Sequence, residues 1–250
     1  KKPVIKSSIS WEQRKSVLVQ KLLNQFPDNK STILKPSRSD STQRQSNDIH
    51  VFVDNSNISI GFIDHIKASR GLKTVNISRP VLSFRALSLI LERGRPAVRR
   101  VLVGSAPFTR EMIEAKEIGY ETSVLERVEK DRPDNGQRSA SSGSDTAANK
   151  IRRRKVEQGV DEILHMKICE SLLDHNPSTV VLASGDGNIA EYSPGFFKAI
   201  ERCLDRNWRV EVVAFKNSLN SVYRNKEFRK KWKGKFRVIL LDDFAEDMLS

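Results

Sequence analysis

Cysteine is almost absent from this 250-residue chain: only Cys169 and Cys203 occur. Two cysteines cannot form a disulfide framework, and with four scattered histidines they make no cluster of zinc-ligand spacing. Both fall on the apolar faces of expected helices, where a buried free thiol serves as a small hydrophobe. That usage fits a reducing, intracellular compartment, cytoplasmic or nuclear. Long apolar runs are missing too. None approaches the ~18 residues of a membrane span, so no membrane partner is expected. No Gly-rich phosphate loop with its lysine occurs, which argues against nucleotide hydrolysis by that route. His50, His65, His165 and His175 share no catalytic spacing, which argues against acid–base chemistry by paired histidines. The chain opens on Lys-Lys-Pro rather than Met, as expected of a fragment or a processed chain.

Negative charge is also scarce. There are 44 Lys and Arg against 31 Asp and Glu, a formal net charge of +13. Such an excess favours a polyanion as partner. The cations are unevenly spread. Residues 224–237, RNKEFRKKWKGKFR, hold eight Lys or Arg and one Glu, with Phe228, Trp232 and Phe236 interleaved. Arg224, Lys226, Arg229, Lys230, Lys231 and Lys233 are therefore candidate phosphate contacts. Trp232 is a candidate stacking ring, whereas the spacing of Phe228 and Phe236 reads as core. Arg152, Arg153 and Arg154 form a second run, read equally well as a nucleic-acid contact or a nuclear-localisation signal.

From residue 49 onward the pattern alternates strand and helix. Strands are expected at 49–54, 98–103, 120–128, 179–184, 209–215 and 237–241. Helices are expected at 79–93, 109–118, 160–174, 194–206 and 218–232. This alternation predicts a three-layer α/β/α sandwich around a mostly parallel sheet, in one domain covering 49–250. Before it, residues 1–27 read as a helical extension. Ser10 with Gln13 three residues later forms a capping-box pattern, and Trp11, Leu18, Leu22 and Phe26 fall near one face. The helix is expected to pack on the main domain, with a partner-binding helix as the sharper alternative. Residues 28–48 read as a linker. Residues 129–150, almost without apolar side chains, read as a disordered loop beside the site.

Three acidic residues stand where such a fold concentrates chemistry. Asp54 closes the strand-like run IHVFVD, Asp161 opens the helical run VDEILHMKI, and Asp186 lies in the turn SGDGN after TVVLA. Strand ends of a parallel sheet meet in one crevice. Carboxylates gathered there repel one another unless a hard cation lies between them, and oxygen ligands suit Mg²⁺ or Mn²⁺. Asn57 follows Asp54 in the same turn, with an amide able to orient it. Glu191, five residues after Asp186, is a candidate fourth carboxylate. Taken singly, each Asp also reads as a turn former or helix cap.

The runs VFVDNSNI, EQGVDEILHMKI, VVLASGDGNIAEYSPGFFKAI and WRVEVVAF resemble an NYN domain, a PIN-like branch of metal-dependent ribonucleases, and are most similar to NYN domains of fungal proteins. The resemblance covers residue 49 to about 244. It implies a PIN-like sandwich, Mg²⁺ or Mn²⁺ dependence and endonucleolytic cutting of RNA. The matching positions are Asp54, Asp161 and Asp186, with Asn57 as polar partner. The sequence departs from the pattern at Asn188, where many PIN-like nucleases carry a further acid. A catalytically inactive NYN domain, binding RNA or protein, is therefore the rival expectation. The turn Asp54-Asn55-Ser56 also resembles the start of an adhesion-type metal motif, but Ile58 stands where that motif requires a second Ser.

Overall fold

Six short runs rich in Val, Ile and Leu form one sheet: β1 (Ile49–Asp54), β2 (Ala97–Ser105), β3 (Glu121–Leu125), β6 (Thr179–Ala183), β7 (Arg209–Ala214) and β8 (Phe236–Leu240). The structure, a computed structural model, describes residues 5–7, 9–36, 48–131 and 153–250. All neighbouring strands are parallel, in the order β3-β2-β1-β6-β7-β8. β1 and β6 are buried along their whole lengths. Continuous burial is expected for parallel strands covered on both faces.

Helices supply that cover. Val51, Val53 and Val181 face α1 (Trp11–Gln25), α3 (Asn55–Ser69), α4 (Phe84–Glu92) and α5 (Arg110–Glu117) through one apolar cluster. Phe52, Val103, Val180 and Leu182 face α6 (Val160–Asp174) and α7 (Gly195–Asp205) through a second, against which α8 (Lys226–Lys231) packs by Phe228. The result is a three-layer α/β/α sandwich, as the alternating pattern predicted. Strand order reverses between β1 and β6, which places a crevice beyond their carboxyl ends.

Several boundaries differ from the sequence expectation. Helix α3 was not anticipated: its Asn, Ser and Ile residues and central Gly61 have weak helix propensity. Asp54 nevertheless caps it, accepting from Asn57 N–H at 3.0 Å. The helix expected from residue 79 begins at Phe84, capped by Ser83, because Leu82 pairs with Leu249 in an antiparallel bridge. The helix expected over 218–232 splits into a 3-10 turn, Ser221–Arg224, and α8. Asn220 and Asn225 each cap a new start there.

The supposed linker 28–48 includes the end of a 3-10 turn, Pro27–Asn29, and a short helix, α2 (Lys30–Leu34); its residues 37–47 lie outside the described residues. Likewise 129–131 belong not to a loop but to β4 (Val128–Asp131), paired antiparallel with β5 (Arg153–Val156). Residues 132–150 and Arg152 lie outside the described residues, as do the side chains of Arg153 and Arg154.

The N-terminal extension docks as predicted. Its capping box is formed, with Ser10 and Gln13 exchanging bonds of 3.3 and 3.1 Å. Leu18, Leu22 and Phe26 are buried in the first cluster. Lys21 meets Asp247 at 2.6 Å, and Asn29 Oδ1 accepts from Arg93 Nε at 2.9 Å. Both cysteines are free, and burial, then the neighbouring Cys169, pushes the Cys203 thiol up to about 12. Among the described residues no helix is long and apolar enough to cross a membrane.

Candidate active site

The crevice at the switch point is an open cavity of about 290 Å³ whose lining includes Asp54, Asn57, Glu157, Asp161, Asp186 and Glu191. Three elements deliver the aspartates. Asp54 ends β1, so its carboxylate reaches the sheet edge while also capping α3. Asp161 is carried in the first turn of α6, which Gly159 opens at φ +87°. Asp186 sits in the turn that follows β6. Close approach fixes that turn: a Cβ on Gly185 would lie 2.3 Å from Ser218 O, so only glycine fits.

Hydrogen bonds knit the turn to its neighbours. Gly185 N–H donates to Asn57 Oδ1 at 2.9 Å, tying the end of β6 to the start of α3. Ser184 Oγ donates to Asp54 Oδ2 at 3.2 Å and accepts from Asp186 N–H at 3.2 Å. Tyr223 Oη donates to Asp186 O at 2.5 Å. Asp186 Oδ1 accepts from both the backbone and the side chain of Asn188, at 2.8 and 2.7 Å. Asn57, expected to orient Asp54 or a water through its amide, does so through its backbone N–H instead. Its side-chain oxygen is committed to Gly185.

The electrostatics show the aspartates acting on one another. Asp54, 5% exposed, is raised from 3.8 to about 7, first by burial and then by Asp161 and Glu157. The bonds from Asn57 and Ser184 act in the opposite sense. Asp161 is raised to about 6, by burial and then by Asp186, Glu162 and Glu157. Burial and then Asp186 and Asp161 push the Tyr223 hydroxyl well above its ordinary range. Like charges converge in this cavity, with no Lys or Arg lining it among the described residues.

One carboxylate was missed. Glu157 follows the β4–β5 hairpin, lines the cavity, and accepts from Ser56 Oγ at 2.6 Å and from Ser105 Oγ. It acts on both Asp54 and Asp161. The only trace in sequence is its position four residues before Asp161. Glu191, expected as the fourth acid, stands at the rim: it accepts from Gln158 at 3.3 Å and from Tyr192 Oη at 3.0 Å.

The donors around the cavity are oxygens, which suit a hard divalent cation. Asp54 keeps lone pairs beyond its two hydrogen bonds. Among the described residues, however, no three His, Cys, Asp or Glu side chains are gathered closely enough to hold one ion. Mg²⁺ needs no such cage, since it commonly binds through one or two carboxylates and keeps several waters. The chemistry of the donors fits a divalent ion held in that way.

The histidines stand apart from this chemistry. His50 is buried beside His175 and Trp208, and burial, then His175 and Arg99, lowers it to about 4. His165 lies one turn after Asp161 but contacts Arg202 at 2.9 Å.

The basic run is placed differently from the aspartates. Arg224 ends the 3-10 turn that Tyr223 anchors to Asp186, and its guanidinium donates to Lys216 O at 2.6 Å. From there α8 leads to β8, whose first residue, Phe236, pairs with Val210 near the start of β7. Lys233 therefore lies towards the opposite sheet edge. Lys226, Arg229, Lys230, Lys231 and Lys233 are exposed. Phe228 and Phe236 pack edge to face at 5.1 Å, as expected of core rings. Trp232, a candidate stacking ring, is half-buried against the second cluster, with Lys231 Nζ 4.8 Å from its centroid.

No protein-family model matches the chain, and no curated protein matches it. Among solved structures it is similar to a protein of unknown function from Vibrio parahaemolyticus, at 16% identity and a TM-score of 0.46, over 84% of this chain and all of the other.

Proposed function

We propose that the chain is a divalent-metal-dependent endoribonuclease of the NYN, PIN-like type, working in the cavity at the β1–β6 switch point. The observation that carries this reading is the convergence there of Asp54, Asp161 and Asp186 with Glu157, two of them raised by burial and mutual repulsion. Carboxylates so placed are unfavourable without a counter-cation, and a chain of net charge +13 suits a phosphate polymer as substrate. Asp54, Asp161 and Asp186 are the residues from which one or two carboxylates, completed by waters, would hold Mg²⁺ or Mn²⁺. When bound, such an ion supplies Lewis acidity to a phosphodiester and lowers the pKa of water.

The chain's own residues position the site. Asn57 and Ser184 bridge β1, α3 and the Asp186 turn, fixing Asp54 against Asp186. Ser56 and Ser105 hold Glu157 where it faces Asp54 and Asp161, so this carboxylate is poised to take a proton from an attacking water. Asn188 occupies Asp186 Oδ1 and contributes no charge.

The test is cleavage of single-stranded RNA with Mn²⁺ or Mg²⁺ and with EDTA. Wild type should cut only with a divalent ion, and Asp54→Asn or Asp186→Asn should lower cutting at least ~100-fold. Cutting that survives EDTA would refute the metal mechanism. A second reading has its own observation: no three carboxylates stand as a ready ligand set among the described residues, and Asn188 replaces an acid. It takes the domain as an RNA-binding module without turnover, and RNA binding without cutting under any divalent ion would favour it.

A further inference from the structure

At the amino-terminal edge of the sheet, opposite the acidic cavity, lies a second cavity of about 430 Å³ whose lining includes Arg95, Arg209, Glu211, Lys235 and Arg237. Its floor is a buried charge cluster in which three guanidiniums share one carboxylate. Arg93 bonds Glu211 Oε2, Arg237 bonds Oε1, and Arg95 bridges the two. Arg95 contacts both oxygens of Glu211, at 3.0 and 2.9 Å. Burial alone would raise Glu211, yet Arg93, Arg95 and Arg237 hold it far below the usual carboxylate range. The reverse holds for Arg93, which burial and then the neighbouring arginines lower to about 10, with Glu211 opposing. Within this cluster one negative charge faces three positive ones, and the lining adds Arg209 and Lys235 against Asp28, so the cavity carries an excess of positive charge.

The cavity is continuous with the basic run. Lys235 lines it, with Nζ 2.7 Å from Asn207 Oδ1, and Lys230, Lys231 and Lys233 precede it on exposed backbone. At the other end of the same run, Arg224 ends the turn anchored to Asp186. Exposed cations thus descend one side of the molecule from the acidic cavity to the second cavity. The two edges are separated by the length of β7, roughly 20 Å for its six residues at ~3.3 Å each.

We propose that the cavity over the Arg93–Arg95–Arg237–Glu211 cluster is a phosphate-binding exosite, at which an RNA strand entering the acidic cavity is held after running along α8. This rests on the ribonuclease reading for the strand's other end, but the exosite binds RNA whether or not the strand is cut. Its chemistry is that of a polyanion site: Arg237 is part-exposed and can fork onto a phosphate while Arg93 and Arg95 retain Glu211. Occupying both sites raises the effective concentration of RNA at the acidic cavity without changing the chemistry there.

The test compares wild type with Lys230→Gln/Lys233→Gln/Lys235→Gln and, separately, Arg237→Gln, after thermal melting confirms that each variant folds. Binding of single-stranded RNA of about thirty nucleotides is measured in EDTA, so turnover plays no part. The triple variant should bind ~10-fold or more weakly at ~150 mM salt, with the log–log salt slope reduced by about two, as three lost phosphate contacts require. Arg237→Gln should weaken binding in the same sense. Where wild type cuts RNA, the triple variant should raise KM for the long strand and leave kcat unchanged. Unchanged affinity and slope for the long strand in both variants would overturn the exosite. So would displacement of RNA by polyglutamate at equal charge concentration, the behaviour of a face built for acidic proteins. Absence of cutting by wild type under any divalent ion, with the binding results as expected, would count against the nuclease reading alone.

Discussion

Removing the negative charge of Asp54 should change how stability depends on pH, in a direction the structure fixes. In the metal-free protein Asp54 is raised from 3.8 to about 7, chiefly by burial. Between those values the folded state holds a proton that the unfolded state has released. Stability contributed by this group is therefore fully present below pH ~4 and is lost as pH rises towards and through ~7. A shift of about three units corresponds to ~4 kcal/mol, and local relaxation around an open cavity brings the expected change to about 2–4 kcal/mol. Asp54→Asn keeps an oxygen to accept from Asn57 N–H and does not titrate. Urea unfolding followed by tryptophan fluorescence from pH 4.5 to 8 should show the variant gaining on wild type across this window. His50, which is lowered, and Glu211 act with the opposite sign, losing stability as pH falls, but both are common to the two proteins and cancel in the difference. Mn²⁺ should restore wild type at pH 7.5 by an amount that grows with its concentration, and should act far less on the variant. Parallel curves for the two proteins, with no differential response to Mn²⁺, would refute the reasoning.

Glu157→Gln should lower RNA cutting by at least ~10-fold while leaving Mn²⁺ binding measurable by electron paramagnetic resonance, as a proton acceptor beside the ion requires. Unchanged cutting would remove its role. Asn57→Ala should leave Gly185 N–H without its acceptor and cost about 1–3 kcal/mol in urea unfolding, with cutting reduced through a misplaced Asp186 turn. Unchanged stability and cutting would show that the bridge is not needed. Leu22→Ala, on the docked face of α1, should cost about 2–5 kcal/mol, since Leu22 is 1% exposed. A cost near zero would mean that the N-terminal extension is an independent appendage.

The layered fold was legible because its strands are short, apolar and spaced by helix-length segments. Parallel pairing buries both faces of β1 and β6, and that burial is written as unbroken runs such as VVLA. The three aspartates were legible because each stands at the end of a strand or the start of a helix. What was hidden follows from tertiary contact. α3 forms despite weak propensity because Asp54 caps it and Phe62 and Ile66 are buried. Glu157 sits after a hairpin whose second strand, RRKV, reads as a charged loop in isolation. Trp232 stands among charged neighbours, so its sequence context gives no sign that one face of the ring packs on the second core cluster. The cluster around Glu211 could not be read from sequence, as its four members come from segments more than a hundred residues apart in the extreme case.

The central claim is that the carboxylates at the β1–β6 switch point hold a divalent ion for RNA cleavage. Anomalous diffraction from crystals soaked in Mn²⁺ tests it most directly. A peak within coordination distance of Asp54, Asp161 or Asp186, lost in Asp186→Asn crystals, is the predicted result. The absence of any peak in this cavity at millimolar Mn²⁺, in crystals of a protein that still cuts RNA, would contradict it.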